Sequence, residues 1–487
     1  MFSGNYFLKT KSRNLGRYIG KIKLTVVQLL LLVLVLPLSV YLINQKTDFI
    51  KRAYMNVTGK NANLIVDLIG SGELRLIRPD LAQGGEEKGG MFANIITQVR
   101  LLQPEYIRID HMYDFYDIVN KDGDGSLRFN WTLFDQEIRD IQETGAKPFL
   151  SLSYMPPSIS SGNEVDIPYN WNDWREIIRQ TIEHVSGLNG LAIRDVYYEV
   201  WNEPDLFGDF KMGRGKDYKE LYRYAALGAS DAKNTHPYKF GGPATTGLYK
   251  AWFDGLLTFS QENNLRLDFY SWHRYSKYLK DYENDIKNVT SWLENYPRYS
   301  ELELIVSESG FATEVDPGYD NQFSAIHTLG LYSTASAFDA KSNLRIFSFE
   351  VKDGPGESKY WGRWGLLTHE SFGDPVPKAR YRAVELMNSL KGVRVPLYGQ
   401  GDWVKAVAVK DSNGYKILIV NYDPFGGHYE NVPLQLVGLQ GNRFMMKRTE
   451  FLRGKTEFAI EASGNSWKTE ILMKPNTALL LEITPID

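Results

Sequence analysis

The sequence predicts an eight-stranded (β/α)8 TIM barrel that is followed by an all-β sandwich and preceded by a transmembrane helix. Three observations support this fold class. Between residues 74 and 394, short β-branched apolar runs alternate eight times with helical stretches of about 12 residues or more, which is typical of parallel strands joined by right-handed crossovers. After residue 395 the helical periods end and hairpin signals begin. Residues 24–45 carry no charge.

The predicted elements of the barrel follow one another in strict alternation. The strands are expected at 74–78, 105–110, 147–153, 193–201, 238–242, 267–272, 302–307 and 344–350. The helices are expected at 91–102, 131–144, 171–187, 216–235, 249–263, 280–296, 320–338 and 376–391. Residues 80–87 are predicted as the loop after the first strand. Because the chemistry of such a barrel lies at the carboxyl ends of its strands, polar residues there are the candidates for function.

The C-terminal module is predicted to start at residue 395 and to end with the chain at residue 487. Asn413-Gly414 separates two alternating runs at 402–410 and 415–423, which is a strong hairpin signal. A sandwich packed on the barrel explains this pattern. It is either a structural support or a separate carbohydrate-binding module, and the sequence leaves both open.

Composition excludes several classes of function. The 487 residues include no cysteine, so disulfides, thiolate nucleophiles and cysteine-based zinc sites are excluded. The net charge of −3 gives no basic surplus for nucleic acid. No phosphate-binding glycine loop and no metal-protease motif occurs, and we predict neither a cofactor nor a metal.

Two glutamates follow predicted strands and form the central candidate site. Glu203 lies in Asn202-Glu203-Pro204, where Pro204 ends the strand because it has no N–H to donate. Glu308 directly follows the strand at 302–307. A carboxyl group held against aromatic walls keeps its proton more readily and can donate it near neutrality. Two carboxyl groups, one on each side of a glycosidic bond, are what sugar hydrolysis needs.

At these residues the chain resembles the glycoside hydrolases of clan A, and most closely family 39, which includes β-xylosidases, α-L-iduronidase and bacterial exopolysaccharide hydrolases. Gly-Gly-Pro-Ala-Thr at 241–245 and Asp-Phe-Tyr-Ser-Trp-His-Arg-Tyr at 268–275 extend the resemblance over roughly residues 75–395. It implies that Glu203 is the acid/base and Glu308 the nucleophile of a retaining enzyme, whose carboxyl groups lie about 5–5.5 Å apart.

The resemblance also implies supporting roles for neighbouring residues. Tyr275 is expected to hydrogen-bond the nucleophile, and His273 to line the site. Asn202 is expected to contact the sugar hydroxyl next to the anomeric carbon. Many family members carry Arg-x-His at the second strand, whereas this chain has Arg108-Ile109-Asp110-His111, which puts the role of His111 in doubt.

Further residues at strand ends are candidates for substrate binding. They are Arg108, Asp110 and His111 after the second strand, Tyr154 after the third, Glu350 at the eighth, and Trp361 and Trp364 in the loop that follows. Glu350 is either a sugar ligand or a structural ion-pair partner. The two tryptophans are either stacking platforms or packing residues. Glu199 is expected to be a barrel-layer or outer-face residue.

The N-terminus predicts membrane attachment. Residues 1–23 contain six lysines and arginines and no acid, and residues 24–45 are 22 uncharged, mostly apolar residues. Such a stretch spans a bilayer core of about 30 Å at 1.5 Å per residue. The basic side should stay cytoplasmic, which leaves residues 46–73 as a tether and the barrel at 74–394 in the periplasm or at the cell surface. A cleaved signal peptide is the alternative.

The sequence therefore predicts a membrane-anchored retaining glycosidase. A bacterial exopolysaccharide is the expected substrate, and its assembly machinery is a possible partner. Transglycosylation at the same site and a non-catalytic polysaccharide-binding scaffold are the alternatives. The sugar, its anomeric form and the choice of endo or exo cleavage stay open.

Overall fold

Eight parallel strands close into a barrel in the computed structural model, which describes residues 59–70, 76–85, 90–338 and 344–486. The strands are Asp80–Gln83, Tyr106–Ile109, Lys147–Leu152, Val196–Val200, Tyr238–Thr245, Phe269–Tyr275, Glu303–Gly310 and Leu344–Phe349. They pair in chain order, and the eighth closes the ring against the first, with Phe347 opposite Asp80. The predicted barrel is confirmed.

A helix follows each barrel strand. These helices are Ile96–Leu102, Thr132–Glu143, Trp171–Val185, Tyr218–Asp231, Lys250–Glu262, Leu279–Leu293, Gln322–Phe338 and Ala379–Ser389, and a short one, Met112–Phe115, precedes the second. Trp171–Val185 shows why they form: Asn170 caps the first turn through its side chain, and Trp174, Ile178 and Ile182 fall on one buried face. Burying each such side chain contributes about 1.5–3 kcal/mol.

Aromatic side chains fill the inside of the barrel below the site. Phe149 stacks on Tyr197 at a centroid distance of 5.2 Å and meets Phe347 edge to face at 4.9 Å. Phe269 and Ile305 complete this buried layer. The layer is a packed core, so substrate has access only from the carboxyl ends of the strands.

The first barrel strand lies later than predicted. Residues 76–79 form no strand, and Asp80–Gln83, expected to be a loop, is the strand itself. The strand begins with a buried aspartate, so it does not show the apolar pattern expected of a barrel strand. Asp80 pairs with Arg345 at 2.8 Å and accepts a hydrogen bond from the backbone N–H of Tyr106 at 2.9 Å. The apolar run at 74–78 therefore predicted the strand in the wrong place.

The tether prediction for 46–73 is also wrong in part. Leu64–Asp67 is a strand that pairs in parallel with Leu434–Val437 and antiparallel with the short strand Leu397–Tyr398. Leu64 and Val66 are fully buried. The alternation of buried and half-buried residues in this segment is the signature of a strand with one face on a core.

The C-terminal domain consists of two sheets around one core. One sheet holds Leu64–Asp67, Leu397–Tyr398, Glu430–Val437 and Ser466–Met473. The other holds Val393–Arg394, Val404–Asp411, Gly414–Asn421, Arg443–Glu450, Lys455–Glu461 and Thr477–Pro485. Apolar side chains of both sheets share a cluster, and the hairpin at Asn413-Gly414 is confirmed.

This domain packs on the barrel helix Gln322–Phe338. The hydroxyl of Tyr422 donates to the carbonyl of Lys277 at 2.8 Å, and its ring lies against His327. The predicted tail 1–23 and anchor 24–45 lie outside the described residues. Among the helices within the described ranges, none is both long and apolar enough to cross a bilayer.

Candidate active site

The chain turns sharply at Glu203, directly after the fourth barrel strand. Trp201 and Glu203 both adopt left-handed backbone conformations, with φ of 75° and 44°. The N–H of Glu203 donates to the carbonyl of Ala244 at 2.9 Å, and its own carbonyl accepts the N–H of Phe207 at 2.7 Å. Non-glycine residues hold such conformations only when the surroundings fix them, and functional sites are where they cluster. The turn presents the Glu203 carboxyl at the mouth of the barrel.

Folding brings Glu203 and Glu308 together at one nitrogen of His273. His273 Nδ1 lies 2.8 Å from Glu203 Oε1 and 3.5 Å from Glu308 Oε2. One oxygen of each carboxyl group and the imidazole nitrogen all lie within 4.8 Å of one another. Inverting glycosidases separate their carboxyl groups by about 6.5–9.5 Å and retaining ones by about 5–5.5 Å, so this spacing favours retention.

Donors hold both oxygens of Glu308. The Tyr275 hydroxyl donates to Oε2 at 2.7 Å, and Arg108 Nη1 donates to Oε1 at 2.9 Å. Burial raises the pKa of the Glu308 carboxyl, and the positive charges of His273 and Arg108 oppose that rise. The two donors favour the ionised form of Glu308, although burial outweighs the opposing charges and the pKa remains raised.

Arg108, on the second strand, connects the nucleophile candidate to two residues at the end of the fourth strand. It is fully buried, donates through Nε to Glu199 Oε2 at 2.7 Å, and donates through Nη2 to Asn202 Oδ1 at 2.8 Å. The negative charges of Glu199 and Glu308 outweigh the effect of burial and raise the pKa of the guanidinium, which stays charged. Asn202 in turn donates to the Tyr154 hydroxyl at 2.8 Å.

His273 is buried between the two glutamates. Burial alone lowers the pKa of its imidazole, but the negative charge of Glu308 and the hydrogen bond to Glu203 outweigh burial, so the pKa is raised. A protonated ring there balances part of the negative charge of the pair and orients Glu203.

A cavity of about 430 Å³ opens above these residues. This is within the range of small-ligand pockets. Besides the two glutamates, the predicted residues that line it are Asp110, His111, Tyr154, Asn202, Tyr275 and Trp364. His111 keeps its place through Asp114, whose carboxylate lies 2.7 Å from Nδ1, and through stacking on Phe115 at 4.3 Å.

The remaining predicted residues take other positions. Arg108 and His273 are buried, and each contacts Glu308. Glu350 is fully buried outside the lining, where it accepts from Gln83 Nε2 at 3.3 Å and lies 3.8 Å from Arg363. This favours its structural interpretation. Trp361 also lies outside the lining. Its ring packs against the Arg363 guanidinium, whose Cζ lies 5.2 Å from the ring centre.

Sequence reasoning missed several contributors. Glu199 takes the first of its two expected positions, as a barrel-layer residue, but its ion pair with Arg108 was not predicted. Val165, Leu206 and Phe207 line the cavity from loops that carry no sequence motif. Gly85 allows the His111 ring to approach, since a Cβ there would lie 2.2 Å from it. The Gly84-Gly85 pair was the one sequence signal for this contact.

Glu203, His273 and Glu308 also form a donor set that can hold a divalent cation. The charge of Arg108, 2.9 Å from Glu308, already compensates the carboxylate that a cation would use. A protonated His273 is no ligand. These residues therefore fit acid–base and nucleophilic chemistry better than metal binding.

Comparison with known proteins identifies the family of the chain. The sequence profile of glycosyl hydrolases family 39 matches residues 94–415, more than half of the 487 residues. A β-xylosidase of Caldicellulosiruptor saccharolyticus is 26% identical over 388 residues, which is 72% of this chain and 74% of that protein. A β-xylosidase of Geobacillus stearothermophilus is 25% identical over 306 residues, 56% of this chain and 59% of that protein.

Solved structures share the fold over most of the chain. A family 39 enzyme from Xanthomonas axonopodis pv. citri superposes with a TM-score of 0.69 at 19% identity, covering 88% of this chain and 98% of that one. A monomeric β-xylosidase from Caulobacter crescentus CB15 gives 0.69 at 21% identity, covering 88% and 100%. The chain is a retaining glycosidase that works with a pair of glutamates, and it belongs to glycosyl hydrolases family 39.

Proposed function

We propose that Glu203 is the acid/base and Glu308 the nucleophile of this glycosidase. The observation that carries the assignment is that both carboxyl groups meet at His273 Nδ1, with one oxygen of each within 4.8 Å of the other. The asymmetry of their contacts supports this assignment of the two roles. Glu308 accepts from Arg108 and Tyr275, two donors that favour its ionised form, whereas Glu203 faces the cavity from a strained turn.

In the first step, Glu308 attacks the anomeric carbon as Glu203 gives its proton to the departing glycosidic oxygen. The carbon–oxygen bond to the leaving sugar breaks and a carbon–oxygen bond to Glu308 forms. In the second step, Glu203, now ionised, takes a proton from water. The resulting hydroxide attacks the same carbon and releases Glu308, so the anomeric configuration is retained.

The neighbouring residues position this pair. Asn202 has its oxygen bound to Arg108 and its nitrogen bound to Tyr154, which fixes its amide beside the cavity. We propose that this amide binds the hydroxyl next to the anomeric carbon. Asp110, His111 and Trp364 also line the cavity and are proposed to contact the sugar ring that is transferred.

For the substrate, we propose a β-linked oligosaccharide or polysaccharide with a β-xylosyl or similar pyranosyl unit at the reacting position. The two relatives named β-xylosidase support the choice of a xylosyl unit. The experiment is a panel of aryl glycosides and bacterial polysaccharides, incubated with the full chain and with Glu308→Gln, and read by product mass. We expect one sugar class to be released by the native chain and none by the variant. Release by Glu308→Gln at the native rate would contradict the assignment.

The same panel separates the alternatives. If an added sugar acceptor receives the glycosyl unit in preference to water, the site works as a transglycosylase. Sugar binding without turnover, unaffected by Glu203→Gln, would indicate a scaffold.

We further propose that residues 24–45 anchor the protein and place the barrel outside the cytoplasm, where it has access to an exopolysaccharide as its substrate. The support is the basic segment 1–23 followed by 22 uncharged residues. Membrane fractionation of cells that express the full chain, with protease added to spheroplasts so that only the cytoplasm is shielded, tests this. Recovery of an intact, protected barrel would contradict the orientation, and a mature N-terminus beyond residue 45 would indicate cleavage.

A further inference from the structure

The cavity has an apolar side next to Glu203. It is formed by Val165, Leu206 and Phe207, which we call the apolar wall. Leu206 and Phe207 expose 59% and 42% of their surface. Large apolar side chains left open beside a cavity mark a binding surface more often than chance, because exposing them to water has no benefit for folding.

The apolar wall is fixed relative to Glu203. The backbone N–H groups of Leu206 and Phe207 both donate to the Glu203 carbonyl, at 2.9 and 2.7 Å. Trp201 Nε1 donates to the carbonyl of Phe207 at 2.9 Å. Since the acid/base and two members of the wall share one turn, a group that rests on the wall keeps a constant distance from the proton of Glu203.

The third member comes from a separate loop that is tied to the same structure. Lys216 Nζ donates to the Val165 carbonyl at 3.3 Å and to the Asp166 carboxylate at 2.9 Å. Gly208 approaches the Val165 carbonyl so closely that a Cβ there would lie 3.0 Å from the oxygen. The wall is therefore largely formed before any ligand binds, which reduces the entropy lost on binding.

The chemistry of the first step determines which part of the substrate lies beside the apolar wall. Glu203 protonates the departing oxygen, so the leaving group must lie next to Glu203, while the transferred sugar lies over Glu308. A pyranose ring has an apolar face of C–H groups that packs against aromatic and aliphatic side chains. The Phe207 ring also meets Tyr154 edge to face at 5.9 Å, and Tyr154 binds Asn202.

We propose that Val165, Leu206 and Phe207 form the binding site for the first sugar on the leaving-group side, so that this enzyme selects substrates with a sugar rather than a small group there. The proposal rests on the assignment of Glu203 as acid/base. It also implies that the same wall binds an acceptor sugar during transfer, since the acceptor re-enters the position that the leaving sugar vacated.

The test compares two substrates that share the transferred sugar and differ in the leaving group. One is the β-linked disaccharide and the other is the glycosyl fluoride. Both carry xylose in the first experiment, and afterwards the sugar that the aryl glycoside panel identifies as preferred. Fluoride is too small to reach the wall. For Phe207→Ala and Leu206→Ala, we expect kcat/KM for the disaccharide to fall about tenfold further than kcat/KM for the fluoride, mostly through KM. Transfer to an added sugar acceptor should fall in parallel.

Two variants make the result specific. Phe207→Tyr keeps the ring and should restore most of the selectivity. Leu472→Ala removes an equally exposed side chain, 61% accessible, from the C-terminal domain and should leave both substrates as in the native chain. Equal losses on disaccharide and fluoride in Phe207→Ala would overturn the proposal. If the native chain hydrolyses neither the disaccharide nor the fluoride of any sugar in the panel, the proposed roles of Glu203 and Glu308 fail, and the proposal fails with them.

Discussion

Arg108 donates a hydrogen bond of 2.9 Å to Glu308, and both side chains are buried at the centre of the barrel. This one contact links the nucleophile candidate to the second strand, and the other nitrogens of Arg108 reach the fourth. A charge buried this deeply is stable only while its partners are present, so Arg108 and the side chains that it binds act as a unit.

Replacing Arg108 with lysine should therefore impair catalysis while the charge is kept. Lysine has no planar fork and cannot reach Glu199, Glu308 and Asn202 together. We expect kcat/KM to fall about 100-fold or more, as for removal of one preorganised donor. Arg128→Lys, at a side chain 72% exposed, is the control. Native kinetics in Arg108→Lys would show that the contact is structural only.

The hydroxyl of Tyr275 should matter more than its ring. Tyr275→Phe keeps the ring packed against Gly310 and removes the donor to Glu308. Without it, Glu308 loses one of its two direct donors and its ionised form is less favoured. We expect kcat to fall about tenfold to 100-fold with an unchanged melting temperature. A change in KM alone would place Tyr275 in substrate binding instead.

Glu203 and Glu308 should respond differently to an added nucleophile. In Glu203→Ala, substrates with a good leaving group still glycosylate Glu308, and azide then replaces water without needing a base. We expect azide to restore turnover and to give a glycosyl azide of retained configuration. In Glu308→Ala, azide attacks directly and the product has inverted configuration. Product analysis by NMR distinguishes the two, and a reversed pattern would exchange the two roles.

A buried carboxyl group outside the site should make stability depend on pH. Burial raises the pKa of Glu137 to about 8, although the Met91 N–H opposes the rise. The folded state therefore binds more protons than the unfolded state between the ordinary glutamate value and 8. The free energy of unfolding must fall as pH rises through that window, by roughly several kcal/mol at most.

Denaturant unfolding from pH 5 to pH 8 checks this. Glu137→Gln should flatten the pH dependence and be the more stable protein at pH 8. If the native chain and the variant lose stability in parallel over this range, the dependence arises from another group.

The parts of the fold that depend on local pattern were predictable. Trp171–Val185 carries its own cap and apolar face, and Asn413-Gly414 specifies its own turn. The glutamates were predictable because each follows an apolar run that ends abruptly. Their roles as acid/base and nucleophile stay predictions until the experiments above are done.

Features that depend on distant partners were not predictable. Asp80–Gln83 is a strand because Arg345, far along the chain, neutralises a buried aspartate. Leu64–Asp67 belongs to a sheet formed mainly by the last hundred residues, so the sequence around it suggested only a tether. The ion pair of Glu199 with Arg108 likewise joins two residues that are far apart in the chain. The apolar wall arises from two loops without regular periodicity.

The most direct test of the account is capture of the covalent intermediate. A 2-deoxy-2-fluoroglycoside of the preferred sugar should inactivate the native chain, and peptide mass spectrometry should find the sugar on Glu308. Glu308→Gln should take up no label. Attachment to Glu203 or to any other carboxyl group, or full turnover to a product of inverted configuration, would contradict the central claim.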